Sequence, residues 1–139
     1  MKEIEQKNII DLPYSLHDAR VNKINIASDK VIMYFNEGYY KLDNDCELIK
    51  GYIEFSNADL DYCSVYIFDL TGDFGKFSGE KFNLQDFSKT FNNIDLEIID
   101  ETYGYNQSKF FGYIYEKDII KECIIEIYHF NNMKYVTEE

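Results

Sequence analysis

Residues 94–103 read IDLEIIDETY and show the clearest alternation in the chain. Ile94, Leu96 and Ile98 fall on one face of an extended strand, and acidic residues occupy most of the other face. Because successive side chains of a strand point to opposite faces, this pattern predicts a strand with one buried and one solvent-facing side. Strands of this kind are typical of antiparallel sheets.

A β-hairpin is predicted upstream, where residues 19–27 and 30–36 are separated by only two polar residues. Apolar and polar residues alternate through the second arm. In the first arm Val21 is out of phase with the isoleucines that follow it. A bulge at residue 22 or 23 would therefore be needed to turn all of these side chains inward.

The rest of the chain carries similar strand signals. Residues 51–56 and 62–70 predict a second pair of strands joined by a turn, and residues 109–116 and 119–130 predict a third pair. Residues 133–139 are expected to add a short edge strand.

One short helix is predicted over residues 84–91, because Asn83 can act as its N-cap and apolar residues recur every three or four positions. Just before it, Gly72, Gly75 and Gly79 predict a loop or a short edge strand.

Together these elements predict a mainly β chain that forms a single domain over residues 1–139. We expect an antiparallel sandwich or open barrel of roughly seven to eight strands with one short helix. A parallel sheet is not expected, because its crossover connections need about a dozen residues or more and the loops here are short.

The chain is strongly acidic, with 26 Asp and Glu against 14 Lys and Arg and a formal net charge of −12. Such a surface repels a phosphate backbone, so nucleic acid is not expected as a partner. A basic protein would be attracted to it. Self-association is also open, because both faces of the strand at residues 62–70 are apolar or aromatic.

Three widely separated cysteines with no Cys-x-x-Cys pair predict a reducing compartment. The first residues lack the apolar stretch of a signal peptide, and no segment approaches the roughly 20 apolar residues of a membrane-spanning helix. We therefore expect a cytoplasmic protein that does not engage the membrane.

The two histidines are the first candidates for a functional role, because histidine changes its charge near neutral pH. His17 is followed by Asp18 at the start of the first predicted strand, and the pair is expected to fix that start by hydrogen bonds to the backbone. His129 lies beside apolar positions, which is typical of a hydrogen-bonded histidine in the core or at its rim. His17, Asp18 and His129 are the candidate binding residues, and no catalytic residue is assigned.

Residues 43–47 read DNDCE and are the candidate for a metal site. With a later glutamate, they match the oxygen-ligand positions of an EF-hand calcium loop, but Leu48 stands where that loop needs glycine. Asp43, Asp45 and Glu47 are therefore expected to form a solvated acidic loop, with an irregular calcium site as the alternative. No cofactor is predicted.

The segment from Ser15 to Val21, which contains Leu16-His17-Asp18, resembles the start of several small bacterial β-rich proteins of unknown function, and the likeness extends to Ile24, Ile26 and Val31. Some families with a similar opening have been grouped with immunity proteins of contact-dependent or polymorphic toxin systems. The resemblance implies a β-rich fold and, for such an immunity protein, a toxin as partner. It implies no catalytic residues.

Three functions are consistent with these observations. The leading hypothesis is a non-enzymatic protein-interaction domain that binds a basic protein, with immunity-like neutralisation as its most specific form. A β-barrel that binds a small molecule or lipid in an interior lined by Phe and Tyr is the first alternative. A divergent enzyme is the second, and it would need a pocket that joins His17 or His129 to a carboxylate and a hydroxyl.

Overall fold

The chain has more strands than its sequence pattern indicates. A computed structural model describes residues 1–7, 10–69 and 78–139. Its elements in chain order are β1 Lys2–Glu5, β2 Tyr14–Ser15, β3 Arg20–Ala27, β4 Lys30–Phe35, β5 Tyr39–Lys41, β6 Leu48–Ile49, β7 Gly51–Phe55, β8 Ser64–Phe68, β9 Gly79–Asn83, α1 Leu84–Thr90, β10 Leu96–Gly104, β11 Gln107–Glu116, β12 Ile119–Tyr128 and β13 Lys134–Thr137. The predicted mainly β chain with one short α-helix is confirmed for these residues.

The predicted number of strands is too low, since the described residues contain thirteen. Strands of two or three residues, such as β2, β5 and β6, are too short to show an alternating pattern. The segment that contains β1 reads as a polar leader because three of its four strand residues are charged.

Ten strands form one antiparallel sheet in the order β1-β13-β7-β4-β3-β10-β11-β12-β8-β9. The other three form a separate antiparallel sheet, β2-β5-β6, which we call the small sheet. The large sheet is not closed, because β1 and β9 are its free edges. The charged side chains of β1 oppose pairing of that edge with another chain.

The large sheet bends sharply where β3 meets β10. Only two residue pairs join these two strands. A bulge lies close to this junction in each strand, at Asn22 in β3 and at Ile99 in β10. Because bulges increase local twist, they favour a bend at this point. The predicted bulge at residue 22 or 23 is confirmed.

The bend folds the sheet over its own inner face. The ring centroids of Phe55 in β7 and Phe110 in β11 are 6.1 Å apart. In a flat sheet, four strand spacings would separate them by about 19 Å. A single bent sheet therefore supplies both layers of the hydrophobic core, where the sequence pattern predicts a sandwich or open barrel.

The local elements predicted from the sequence are present. β3 and β4 form the expected hairpin, and so do β11 and β12. Asn83 caps α1, because its Oδ1 accepts a hydrogen bond from the Gln85 amide at 2.9 Å. Leu84 and Phe87 on the inner face of this helix are fully buried.

The predicted pairing of residues 51–56 with 62–70 is wrong. β7 pairs with β4 and β13, whereas β8 pairs with β12 and β9. The segment between β7 and β8 crosses from one half of the bent sheet to the other, and the Asp59 amide donates to the Tyr128 carbonyl at 2.9 Å. Two consecutive strands with a short connection are thus separated by the bend.

The C-terminal strand is also placed differently from the prediction of an edge strand. β13 lies between β1 and β7, and Tyr135 and Thr137 are fully buried. Gly79 begins the edge strand β9, as predicted. The loop predicted around Gly72 and Gly75 lies outside the described residues.

Candidate functional site

The small sheet packs its inner face onto the large sheet through tyrosine rings. The ring of Tyr14 lies 5.4 Å from that of Tyr39 and 4.9 Å from that of Tyr135. All three side chains are buried. The Tyr39 hydroxyl donates to the Tyr52 carbonyl at 2.8 Å, so the polar tip of this buried ring is satisfied. These contacts fix the small sheet against β7 and β13.

Glu139, two residues after β13, ties the small sheet to the end of that strand. Its carboxylate accepts hydrogen bonds from Lys41 Nζ at 2.7 Å, from Thr137 Oγ1 at 3.1 Å and from the Tyr14 hydroxyl. The bonds from Lys41 and Tyr14 lower the pKa of Glu139 to about 2, so the carboxylate is ionised at neutral pH. We call these four residues the Glu139 clasp.

The outer face of the small sheet is apolar at its centre. Tyr40, Leu42 and Leu48 are 43%, 49% and 43% exposed. Tyr40 pairs with Leu48 across β5 and β6. Leu42 follows β5, and its amide donates to the Pro13 carbonyl at 2.9 Å, which continues the pairing of β2 with β5. Alternation along this extended segment places Leu42 on the same side as Tyr40. We call these three residues the apolar strip. Exposed apolar residues grouped in this way are a feature of interaction surfaces.

Carboxylates lie at both ends of the apolar strip. Over residues 14–18 and 37–49 the chain has five carboxylates and one lysine. The lysine belongs to the Glu139 clasp, whereas the carboxylates are exposed. They are Asp18 and Glu37 at one end and Asp43, Asp45 and Glu47 at the other.

His17 and Asp18 form an exposed turn at one end of the strip. His17 Nδ1 lies 3.1 Å from Asp18 Oδ2, and the two side chains are 58% and 57% exposed. The Asp18 amide donates to the Ile98 carbonyl at 2.7 Å. The His17 and Asp18 side chains were expected to fix the start of the strand by hydrogen bonds to the backbone. Glu101 makes such a bond instead, because its Oε2 accepts from the Leu16 amide at 2.8 Å. The His17 and Asp18 side chains thus face solvent rather than the backbone.

A cleft of about 290 Å³ opens beside this turn. Its walls come from the turn, the end of β4 and the small sheet, and consist of Asp18, Ala19, Arg20, Asn36, Glu37, Gly38, Tyr40 and Leu48. Gly38 has a φ of +88°, and a Cβ at this position would lie 1.8 Å from the Ile49 carbonyl oxygen. Only glycine fits where the chain enters β5.

Arg20 lines the cleft, but its charge is already compensated. Its Nη1 lies 2.9 Å from Asp95 Oδ1, and its Nη2 lies 3.9 Å from Glu97 Oε2. The guanidinium carbon lies 4.6 Å from the centre of the Tyr115 ring. Glu37, by contrast, has no ion pair with any residue in the described part of the chain. The cleft therefore has an unpaired carboxylate and no uncompensated cation.

Asp43 organises the acidic loop between β5 and β6. Its Oδ1 accepts hydrogen bonds from the amides of Asp45 at 3.0 Å and Cys46 at 3.2 Å, which is an Asx turn. Across residues 1–7, 10–69 and 78–139, no three or more His, Cys, Asp or Glu side chains are grouped to hold a metal ion. Asp43, Asp45 and Glu47 all lie exposed in this loop, and the irregular calcium site stays an alternative prediction.

His129 is buried, and both of its ring nitrogens have partners. Nδ1 lies 2.6 Å from the Asn131 carbonyl oxygen, and Nε2 lies 2.7 Å from Ser108 Oγ. Since a carbonyl only accepts, Nδ1 carries the proton and the neutral ring accepts the Ser108 hydroxyl hydrogen at Nε2. Burial lowers the pKa of His129, which favours this neutral form. We call Ser108, His129 and Asn131 the histidine junction.

The histidine junction lies where the two halves of the large sheet approach each other. Ala58, which follows β7, forms an isolated antiparallel bridge with His129, which follows β12. The ring of Phe55 lies 4.9 Å from that of His129. The junction therefore helps to hold the bent sheet in its folded-over form.

Two of the three sequence candidates lie on one surface. The His17-Asp18 turn and the acidic loop bracket the apolar strip. His129 lies elsewhere, as the two contacts with β10 show. The Asp18 amide bonds to Ile98, whereas Ser108, the hydrogen-bond partner of His129, pairs with Tyr103. Those two positions are five residues apart along β10, or about 17 Å.

The apolar strip and Ser108 were not identified from the sequence. Tyr39 is buried and Tyr40 is exposed, and this alternation is the signal that could have indicated the strip. β5 and β6 have only three and two residues, however, which is too few for a recognisable pattern. Ser108 precedes His129 by 21 positions, so its role depends on the register of β11 and β12.

In the part of the chain that the structure describes, no helix combines the length and apolar character needed to span a membrane. No family model, curated protein or solved structure matches the chain. The likeness of residues 15–21 to toxin-immunity proteins stays a prediction.

Proposed function

We propose that this chain is a non-enzymatic protein-interaction domain that binds a basic protein through the outer face of its small sheet. The observation that carries the proposal is the apolar strip of Tyr40, Leu42 and Leu48 with exposed carboxylates at both ends. An apolar centre with a polar rim is the usual anatomy of a protein interface. A basic partner would match this rim in charge.

The electrostatics favour a basic partner over a neutral or acidic one. The net charge of −12 attracts a positively charged protein over a distance, and the rim carboxylates add a local field. Rim charges act mainly on the association rate, whereas aromatic anchors at the centre carry much of the affinity. Binding should therefore weaken as salt rises and should depend strongly on Tyr40.

Immunity-like neutralisation of a toxin is the most specific form of the proposal. The residues that resemble the start of such proteins include His17 and Asp18, which lie at one end of the apolar strip. A basic toxin encoded by a neighbouring gene would be the partner. Co-expression of the two proteins should then restore growth that the toxin alone prevents.

No observation specifically supports the other two functions expected from the sequence. A lipid-binding barrel needs a roomy interior, whereas the large sheet has free edges and Phe55 meets Phe110 inside it. An enzyme built on His129 needs a reachable hydroxyl, and Ser108 is only 1% exposed.

Affinity capture from the native lysate with three baits tests the proposal. The baits are the unchanged chain, a strip variant with Tyr40→Ser, Leu42→Ser and Leu48→Ser, and a control with Tyr105→Ser, Ile119→Ser and Ile120→Ser. The control removes three exposed apolar residues, which are 93%, 56% and 49% exposed, outside the small sheet. Captured proteins are identified by mass spectrometry and ranked by isoelectric point.

We expect at least one basic protein that the unchanged chain and the control capture and the strip variant does not. Raising the ionic strength from about 0.15 M to about 1 M shortens the Debye length from about 8 Å to about 3 Å, so this protein should be released. Identical capture by all three baits, or no specific basic protein with any of them, would contradict the proposal. Circular dichroism of the three baits checks that each is folded.

A further inference from the structure

We infer that the cleft beside the apolar strip accepts an arginine side chain of the basic partner, an inference that rests on the proposed function. The cleft adjoins the strip, because Tyr40 and Leu48 belong to both. A protein seated on the strip would therefore pass over the mouth of the cleft. Its volume of about 290 Å³ lies at the lower end of ligand-binding pockets, which suits one long side chain.

The walls of the cleft match the two parts of an arginine side chain. Ala19 and Leu48 offer apolar surface to the methylene stem. Asp18 and Glu37 offer carboxylates to the charged end. Tyr40, which also lines the cleft, offers an aromatic ring on which a guanidinium can stack.

The native cation of the cleft does not compete for these carboxylates. Arg20 is held by Asp95 at 2.9 Å and by Glu97 at 3.9 Å, and it packs on the Tyr115 ring. Its charge is thus matched on the outer face of β10 and β11. The Glu37 carboxylate, which has no ion pair among residues 1–7, 10–69 and 78–139, is left to pair with a cation from outside.

Arginine fits this site better than lysine. A guanidinium is planar, presents five N–H donors in a fixed fork and can bond two carboxylates while it stacks on a ring. An ammonium is a compact and strongly hydrated charge that gains less from an aromatic wall. The cleft should therefore distinguish the shape of the cation and not only its charge.

Titration with N-acetyl-arginine amide, followed by amide NMR spectra of the ¹⁵N-labelled chain, tests the inference. We expect saturable shifts of the amides of Ala19, Glu37 and Gly38. The citrulline analogue, which has the same shape without the charge, should cause none. The lysine analogue should bind more weakly than the arginine probe.

Matched charge variants locate the site. Glu37→Gln should weaken binding of the arginine probe about twofold to fivefold, the size expected for one exposed ion pair. Glu116→Gln removes an exposed carboxylate from the end of β11 and should leave binding unchanged. The spectrum of each variant without the probe reports whether it has kept its fold.

Shifts that spread over the acidic surface without saturation would overturn the inference, and so would equal responses to arginine, lysine and citrulline. The inference and the proposed function can fail separately. If the strip variant loses a basic partner while the arginine probe does not bind the cleft, only the inference fails. If the probe saturates the cleft while no basic protein is captured, the proposed function fails.

Discussion

His17 and His129 lie in opposite surroundings, although each lies just after the end of a strand. The His17 side chain is 58% exposed and contacts Asp18 in a turn that borders the apolar strip. His129 is 8% exposed and has both ring nitrogens bonded to fixed groups of the histidine junction. A buried ring with two fixed partners stabilises the fold, whereas an exposed ring remains free to meet a partner.

The largest effect that this comparison predicts is on the stability of the histidine junction. His129→Ala leaves the Ser108 hydroxyl and the Asn131 carbonyl without their partner and opens a cavity against Phe55, which should cost about 3 kcal/mol. His17→Ala should change the free energy of unfolding by less than about 0.5 kcal/mol, because this side chain is exposed. Urea unfolding of the two variants measures both values. Similar losses in both would show that the two histidines do not differ in role.

Next in size is the replacement of Gly38, which supports the small sheet. Gly38→Ala forces a Cβ against the Ile49 carbonyl oxygen at a positive φ, and should cost about 2 kcal/mol. Gly104→Ala is the control, because a Cβ there meets nothing within 4 Å. Hydrogen exchange should show faster exchange at β5 and β6 in Gly38→Ala and not in Gly104→Ala. Unchanged protection of the small sheet would contradict the prediction.

The histidine junction also predicts a pH dependence. Burial lowers the pKa of His129 in the folded chain below its ordinary value of about 6.5. Below that value the unfolded ring takes up a proton that the folded ring resists, so stability falls as the pH falls, whereas above it His129 contributes no pH dependence. The difference in unfolding free energy between pH 7 and pH 5 should be smaller in His129→Gln than in the unchanged chain. An equal difference in the two chains would contradict the prediction.

Local sequence signals correctly predicted those elements whose determining residues lie close together in the chain. The hairpin of β3 and β4, its bulge at Asn22 and the cap of α1 at Asn83 follow from alternation and from side-chain chemistry close in the chain. The placement of β7, β8 and β13 could not be predicted in this way. It depends on which apolar faces meet across the bend, and no short stretch of sequence encodes that choice.

The same distinction, between local sequence signals and contacts made only in the fold, applies to the candidate site. The sequence indicated the His17-Asp18 turn and the acidic loop, because polar residues at strand ends are visible by type. It did not indicate that the small sheet places them at opposite ends of one apolar strip. It also did not indicate that Ser108 is the partner of His129, since that contact requires the register of two ten-residue strands.

The Glu139 clasp predicts a local effect on the small sheet. Glu139→Gln removes the charge that binds Lys41 and Tyr14, so amides of the small sheet should exchange faster while the core of the large sheet keeps its protection. Glu138→Gln is the control, because it makes the same change at the adjacent, exposed position. Since the pKa of Glu139 is lowered to about 2, the clasp should stabilise the small sheet above about pH 4.5 and be lost as the pH falls towards 2. Equal effects of the two substitutions would mean that Glu139 has no special role.

The smallest effect on stability is expected at the apolar strip itself. Leu42 is 49% exposed, so half of its surface is in water and Leu42→Ser should change the free energy of unfolding by less than about 0.5 kcal/mol. Leu96→Ser, in contrast, places a hydroxyl at a position that is 1% exposed, and should cost several times as much. Thermal unfolding compares the two variants, and capture of the basic partner compares their binding. A core residue changes stability when it is replaced, whereas an interface residue changes binding alone. If Leu42→Ser destabilises the fold as strongly as Leu96→Ser, the strip belongs to the core and the outer face of the small sheet is not an interaction surface.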